Sequence, residues 1–485
     1  MNAPLRIIDW PVETEDALGL ALWDAVALAR AMKGVAVGEF QVSGVEIDSR
    51  DVVPGDLFFA LRGESMDGHR FVEMAFAKGA AAVVVDRPVE GPHVLVSDTS
   101  SALELLAKAA RIRARARIVG VTGSVGKTGV KEAIFAALDR SSRGNAHRSV
   151  KSYNNHVGVP LSLSRMPARS KFGVFEMGMN HAGEIAALTA QVRPHVAVIT
   201  TIAPAHIEML GSMEAIADAK AEIFQGLEKG GTAVIPADSP WFDQLKAAAA
   251  ALDARVVSFG KAAHADVRLL DAVPAPGGGS LVTADMGDRR LCYTVAEPGE
   301  HWIANSLAVM AAVRAAGGDL GAAGLALAEM QGMKGRGQRI ELAVKGGTAL
   351  LIDESYNANP ASMRATLAQL GVTPAARRIA VLGAMKELGE HGPAFHAGLA
   401  EPVLAASVDH AVLVGDEMGA LADELGKGAL TALGKPLGFA HCANAAEALA
   451  ALRGLGLESG DVILVKGSNS VGLGALVAAL ANGKD

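Results

Sequence analysis

Residues 117–131 read RIVGVTGSVGKTGVK. The apolar run 118–121 predicts a strand, TGSVGKT a tight loop, and 130–138 a helix. A glycine-rich loop in that setting turns its N–H groups toward a phosphate, and the following helix N-terminus adds positive dipole. Gly123 and Gly126 permit backbone and close approach that a Cβ would block. Thr122, Gly123, Ser124, Val125 and Gly126 form the predicted cradle. Lys127 reaches the outer phosphates, and the Thr128 hydroxyl suits magnesium. The general phosphate-loop pattern has another glycine five residues before Gly126. Val121 stands there, and Gly120 and Gly123 supply the glycines instead. The alternative is an ordinary tight turn with an incidental lysine.

Outward from this loop the chain alternates strands and helices. Strands are expected at 172–176, 196–201 and 232–235, with helices starting at Gly183, Glu214 and Trp241. Such alternation predicts a mostly parallel sheet covered by helices. PAPGGGS, residues 274–280, reads as a loop between short edge strands, and 301–316 is apolar at helical spacing. Upstream, a helix is expected at 23–31, strands at 42–47, 57–61 and 81–85, a helix at 71–78, and a capped helix at 98–115. Downstream of GMKGRGQR, residues 332–339, strands are expected at 349–353, 379–382, 411–414 and 462–465. That last region lacks GxGxxG after its first strand, so a dinucleotide cofactor is not supported. The expected fold is α/β with three domains. Residues 1–98 make a small N-terminal α/β substrate domain. Residues 99–340 make a central phosphate-loop ATPase-like parallel sheet, and 341–485 a C-terminal Rossmann-like sheet. GMKGRGQR reads as the linker between the last two, with glycines able to absorb rotation.

Bulk properties agree. A chain of 485 residues suggests about three domains. Half its residues are hydrophobic but only 4% aromatic, so the cores should be alanine, valine and leucine packed between layers. The net charge of −7 argues against a surface built for nucleic acid. The two cysteines, Cys292 and Cys442, make no disulfide scaffold, and a reducing compartment is the simplest reading. No apolar run reaches the ~18 to 20 residues of a membrane helix. The early acidic residues Asp9, Glu13, Glu15 and Asp16 do not suit a secretory leader. A cytoplasmic protein without membrane insertion is expected.

Ligands in open α/β sheets bind at the carboxyl ends of strands. Glu176 ends the run FGVFE, where a carboxylate can hold magnesium beside Thr128 or serve as a helix cap. His206 follows VITTIAPAH and reads as a structural histidine or a ligand. Lys220 lies in EAIADAKAEIF. Its spacing alone suits a solvated helix lysine, but it lies one turn from the apolar Ile216 and Phe224.

GVTGSVGKT, EMGMNHAGEI, AHIEMLGSMEAIADAKAEIF, GEHWIANSLA, KGRGQR, DESYNANPASM, VLGAMKELG and VKGS occur in one order. With DSRDVVPGDLFFALRGE and DGHRF near the start, they resemble the Mur ligase family over nearly the whole chain. Within it, NNHVGVP, ESYNANP and MKELG are similar to the branch that adds D-alanyl-D-alanine to UDP-N-acetylmuramoyl-tripeptide. The resemblance implies ATP and magnesium as cofactors, and those two substrates as partners of a monomer. It implies that Lys220 is carbamylated and that His206 and Glu176 are metal-linked. Asn305 contacts adenine, and His301 supports the base one helical turn earlier. Trp302 replaces a frequent second asparagine. Arg336 reaches the γ-phosphate. Glu354 stands at the ribose-binding position, with Asp353 beside it as a second candidate, and Ala384 replaces a common acidic residue. Ser49 and Arg50 fall in the nucleotide-sugar stretch. Asn154 and Asn155 face the tripeptide, and Asn357 and Asn359 lie near the incoming dipeptide.

The implied reaction forms an amide bond through an acyl phosphate. Two anions meet in its first step, so Lys127, Arg336 and two magnesium ions supply positive charge, and domain closure excludes water. The alternatives are a related ligase with another acceptor, adding the third stem residue or resembling folylpolyglutamate synthase, and a nucleotide switch that does not ligate.

Overall fold

The computed structural model describes residues 21–483 other than 64, 65, 151, 206, 277, 431–433 and 435. The expectations for residues 1–20 and for His206 therefore lie outside the described residues. Among the described residues the phosphate-loop strand Arg117–Thr122 lies inside a nine-stranded sheet, third from one edge. Its neighbours are Phe172–Glu176 on one side and Val196–Ile199 on the other, both parallel to it. Beyond Phe172–Glu176 lies Ala146–Arg148. Beyond Val196–Ile199 lie Thr232–Pro236, Arg255–Gly260 and Val267–Pro274, still parallel. The antiparallel strands Ser280–Asp285 and Arg290–Val295 complete that edge, with PAPGGGS as the turn between Val267–Pro274 and Ser280–Asp285.

The side chains of Ile118, Val119 and Val121 are fully buried, as a parallel strand covered on both faces requires. Each valine so buried contributes about 1.5 to 3 kcal/mol. The chain leaves Arg117–Thr122 toward one edge and later returns to its other side. The loop after this strand is thus at a topological switch point, where a crevice opens.

Besides the two-stranded pair of Trp23–Asp24 with Gln41–Val42, two larger sheets flank the nine-stranded one in sequence among the described residues. The first runs Val35–Val37, His93–Leu95, Ala82–Val85, Asp56–Phe59, Gly44–Glu46. The helix Thr99–Arg113, capped by Asp98, links the two cores: Leu103 and Leu106 pack in the first, Ala107 in the second. The last sheet runs Gln338–Val344, Gly347–Glu354, Asp461–Lys466, Arg377–Gly383, His410–Val414, Gly438–Cys442. Its first pair is antiparallel and the others are parallel.

GMKGRGQR differs from a plain linker. Its Gln338 and Arg339 begin a strand of the last sheet. The residues before them are sewn to the same sheet: Gly337 N donates to the Asp353 carbonyl (2.9 Å) and Gly335 N to Asp353 Oδ2 (2.8 Å). Tyr356 N returns a bond to the Gly335 carbonyl at 3.1 Å. Gly335 and Gly337 have φ of 73° and 88°, so here the glycines make a tight turn possible.

Candidate active site

A cavity of about 700 Å³ opens between the central and last sheets. The phosphate loop forms its floor. Gly126, φ 84°, begins the helix Lys127–Ser142, and Gly123 has φ 145°. A Cβ on Gly123 would lie 2.0 Å from Thr200 Oγ1, so only glycine fits. The segment after Val196–Ile199 braces the loop from beneath. Ser124 Oγ donates to the Ala203 carbonyl (2.9 Å), and Ser124 N donates to the Thr201 carbonyl (2.8 Å). Lys127 Nζ bonds back to the Gly123 carbonyl at 2.7 Å. Burial lowers its pKa; Glu176 opposes that shift and Arg336 reinforces it.

Glu176 ends its strand in register with Val121. Its Oε2 accepts from Thr128 Oγ1 (2.8 Å) and its Oε1 from Asn154 Nδ2 (2.8 Å). Thr128, Glu176 and Asn154 are thus one cluster at the loop. Among the described residues no group of three or more His, Cys, Asp or Glu is arranged to hold a metal. A magnesium ion does not need one, since it takes one or two carboxylates with phosphate oxygens and water. The Thr128–Glu176 pair fits that requirement.

Lys220 is not a solvated helix lysine. It sits on the helix Met213–Ala221, lines the cavity, and is 1% exposed. Burial holds its pKa well below the usual lysine range; the positive charge of Lys127 adds to this and Glu222 opposes it. Arg336 also lines the cavity. Its guanidinium stacks 4.3 Å from the Tyr356 ring centroid, and Nη2 donates to Ser152 Oγ at 3.1 Å across the domain junction.

His301, Trp302 and Asn305 lie on the helix Glu300–Ala316 and face the loop. A Cβ on Gly126 would come within 3.0 Å of the Asn305 amide, and one on Gly129 within 2.7 Å of the Trp302 indole. The Trp302 ring therefore occupies space left by a glycine in the loop's own helix. Burial lowers the His301 pKa, with Glu354 opposing and Lys466 assisting. Beside these residues, Glu297 and Glu354 both approach Gly337. Burial and the Glu354 charge raise Glu297 to about 7, against the pull of Arg339.

Asp353 is not a second ribose candidate. It is 1% exposed, and its carboxylate accepts from Gly335 N, Ser355 N and Ser355 Oγ. Glu354 lines the cavity and pairs with Lys466. Asn357 and Asn359 also line it, but Asn359 Oδ1 caps the helix Pro360–Val372 through Ser362 N. Asn155 lines it too, while its Oδ1 accepts from Val157 N (3.2 Å) and Gly158 N (2.9 Å) in the turn that leads into Gly158–Ser164. Ser49 and Arg50 are apart from this cavity, in the first unit. Ser49 is buried against Met74, and Arg50 is exposed and paired with Asp48.

Sequence reading assigned no role to Ser152, Tyr356, Lys131 or Lys466. Lys131 is fully buried and donates to the Ser149 carbonyl (2.8 Å), tying the loop's helix to the segment that carries Ser152 and Asn154. The signal for Lys466 was present: a lysine closing the apolar run VILV.

Fold and site together define an ATP-dependent ligase built on a phosphate loop. The chain belongs to the Mur ligase family. Residues 41–117 match the family's catalytic domain, 121–313 its middle domain, and 335–469 its glutamate ligase domain. Among relatives, the UDP-N-acetylmuramoyl-tripeptide--D-alanyl-D-alanine ligase of Synechocystis is 37% identical, over 91% of this chain and 92% of the relative. The ligase of the same name from Escherichia coli is 35% identical, over 91% and 94%. Among solved structures, MurF from Acinetobacter baumannii aligns with a TM-score of 0.81 at 29% identity, over 96% of this chain and 100% of that one. MurF from Thermotoga maritima in complex with ADP gives 0.71 at 26%, over 91% and 97%.

Proposed function

We propose that this chain joins the amine of D-alanyl-D-alanine to the terminal carboxylate of UDP-N-acetylmuramoyl-tripeptide, with ATP cleaved to ADP and phosphate. The observation that supports the reading most directly is that one cavity holds the phosphate loop on one wall and the 355–359 segment on the other, in a chain whose relatives carry that ligase's name. We further assign 1–98 to the nucleotide sugar, the central unit from residue 99 to ATP, and the last unit to the dipeptide, with the boundary moved from 340 to about 335 because the stitched segment belongs to the last sheet. The protein would act as a monomer in the cytoplasm. Among the described residues no helix is long and apolar enough to cross a membrane.

In the first step a tripeptide carboxylate oxygen attacks the γ-phosphorus, and ADP leaves. Lys127 and Arg336 approach the transferred group from opposite domains and offset the charge of two anions. Asn154 and Asn155 orient the tripeptide, Asn305 and His301 hold the base, and Glu354 accepts from the ribose. Magnesium, when bound at Thr128 and Glu176, supplies further positive charge to the phosphates. In the second step the dipeptide amine attacks the acyl carbon beside Asn357 and Asn359, and phosphate leaves with the C–O bond electrons. Lys220, whose neutral form burial favours, would add carbon dioxide at Nζ and release a proton. The carbamate would be an anionic oxygen group, and with His206 it would be suited to hold a second magnesium ion, which would add positive charge beside the phosphates.

The test is a coupled assay of ADP release with the tripeptide and the dipeptide supplied separately and together. Release that requires both supports the reading. Release with ATP alone at the same rate, and no pentapeptide product, overturns it.

A further inference from the structure

Lys466 is the last residue of the strand Asp461–Lys466 and is 2% exposed. Burying an ammonium is costly unless polar partners replace water. Its Nζ has two: Glu354 Oε2 at 3.2 Å and the Asn357 carbonyl at 3.0 Å. An apolar side chain would fill a buried strand end at less cost, and a buried ion pair is weak evidence for stability. What the lysine provides is geometry. It is in register with Glu354 on the neighbouring strand, so the ammonium is set by two rigid strand ends. It fixes one Glu354 oxygen and leaves Oε1 on the side of Gly337, where the cavity and its side cleft meet. The same ammonium holds the backbone of the segment between Glu354 and Asn359. Two residues on, Ser468 Oγ accepts from Lys386 N at 3.0 Å, so VKGS braces the MKELG loop as well.

We propose that Lys466 is a positioning residue that couples the nucleotide side of the cavity to the acceptor side, through Glu354 and the Asn357 carbonyl. The inference rests on the reading above that Glu354 meets the ribose and that the 355–359 segment receives the dipeptide. Loss of the ammonium frees the Glu354 carboxylate to turn and lets the Asn357 backbone drift. Both subsites loosen together, because the two partners of one ammonium stand on the two sides of the cavity.

The experiment measures ADP affinity by calorimetry with magnesium present, and KM for D-alanyl-D-alanine and kcat by ADP release. The proteins are the wild type, Lys466→Met, Glu354→Gln and the double variant Lys466→Met/Glu354→Gln. Lys466→Met should weaken ADP binding about tenfold, the size of one lost charge-assisted hydrogen bond, and raise the dipeptide KM by a similar factor. Once Glu354 is Gln, removing Lys466 should not weaken ADP further. It should still raise the dipeptide KM, because the Asn357 tether is lost. If Lys466→Met fails to fold, the double variant, which strands no carboxylate, carries the comparison with Glu354→Gln. Equal dipeptide KM in those two proteins overturns the proposal. So does a Lys466→Met protein that loses only melting temperature. A wild type that does not ligate the dipeptide refutes the proposed function instead, so the two failures are distinct.

Discussion

Glu297 should make the stability of the central domain depend on pH near neutrality. Its carboxyl is raised from 4.5 to about 7, first by burial and then by the Glu354 charge. The unfolded chain releases this proton near 4.5, while the folded chain keeps it until about 7. Between those values the folded state binds more protons, so its stability falls as pH rises. At about 1.4 kcal/mol per pH unit, the interval amounts to about 3 kcal/mol. The stabilising difference is fully present below 4.5 and is gone above 7. Glu297→Gln keeps the shape of the neutral acid and cannot ionise. The variant should match the wild type at pH 4.5 and exceed it by about 2 to 3 kcal/mol at pH 8. Urea unfolding of the ligand-free protein at half-unit intervals, followed by calorimetry of the same samples, measures both curves. Parallel curves from pH 5 to 8 would show that Glu297 is ionised throughout and that water reaches it freely.

Lys127→Ala should fold normally, because Nζ bonds only the loop's own carbonyl among the described residues. It should nevertheless lose about 10²-fold or more in kcat, and near-normal turnover would exclude the phosphate-loop role. Lys220→Ala should lose most activity and regain part of it with added formate or acetate, whose carboxylate enters the vacated space. Lys220→Arg should not be rescued, since the guanidinium fills the site with the wrong charge; full activity of Lys220→Ala without additive would refute carbamylation. Gly129→Ala should cost about 1 to 3 kcal/mol by forcing the Trp302 ring aside, despite the better helix propensity of alanine. Trp302→Leu in the same chain should recover most of that loss, and a Gly129→Ala protein more stable than wild type would show that the ring moves freely.

The sequence made the central strands and the phosphate loop legible because buried parallel strands are short apolar runs closed by glycine or a polar residue. FGVFE is the strand Phe172–Glu176, and the apolar run before TGSVGKT falls within Arg117–Thr122. Gln338–Val344 was missed for the opposite reason. It is an edge strand with much of its length exposed, and it begins inside a glycine-rich basic stretch. Lys220 was half legible: its apolar neighbours Ile216 and Phe224 indicated a buried face, and the structure buries all three. Asp353 and Glu354 are adjacent and chemically alike, so only the fold separates the one that holds a turn from the one that lines the cavity. Lys466 and Glu354 are 112 residues apart, and no local pattern announces a contact that parallel strand pairing creates.

On the proposed role of Arg336, the stitching of residues 335–338 to the last sheet would tie attack on ATP to contact between the two units. Arg336 travels with that sheet and reaches Ser152 of the central unit only while the two are together. A separation of the units would withdraw the guanidinium from Ser152 without breaking its bonds to the last sheet. ATP resting on the loop of a parted enzyme would then lack one of the two cationic partners proposed for it. Idle hydrolysis would then scale with the time spent shut rather than with nucleotide occupancy. An arginine carried on the last sheet rather than on the loop's own sheet would let such a chain hold ATP in waiting until an acceptor arrives.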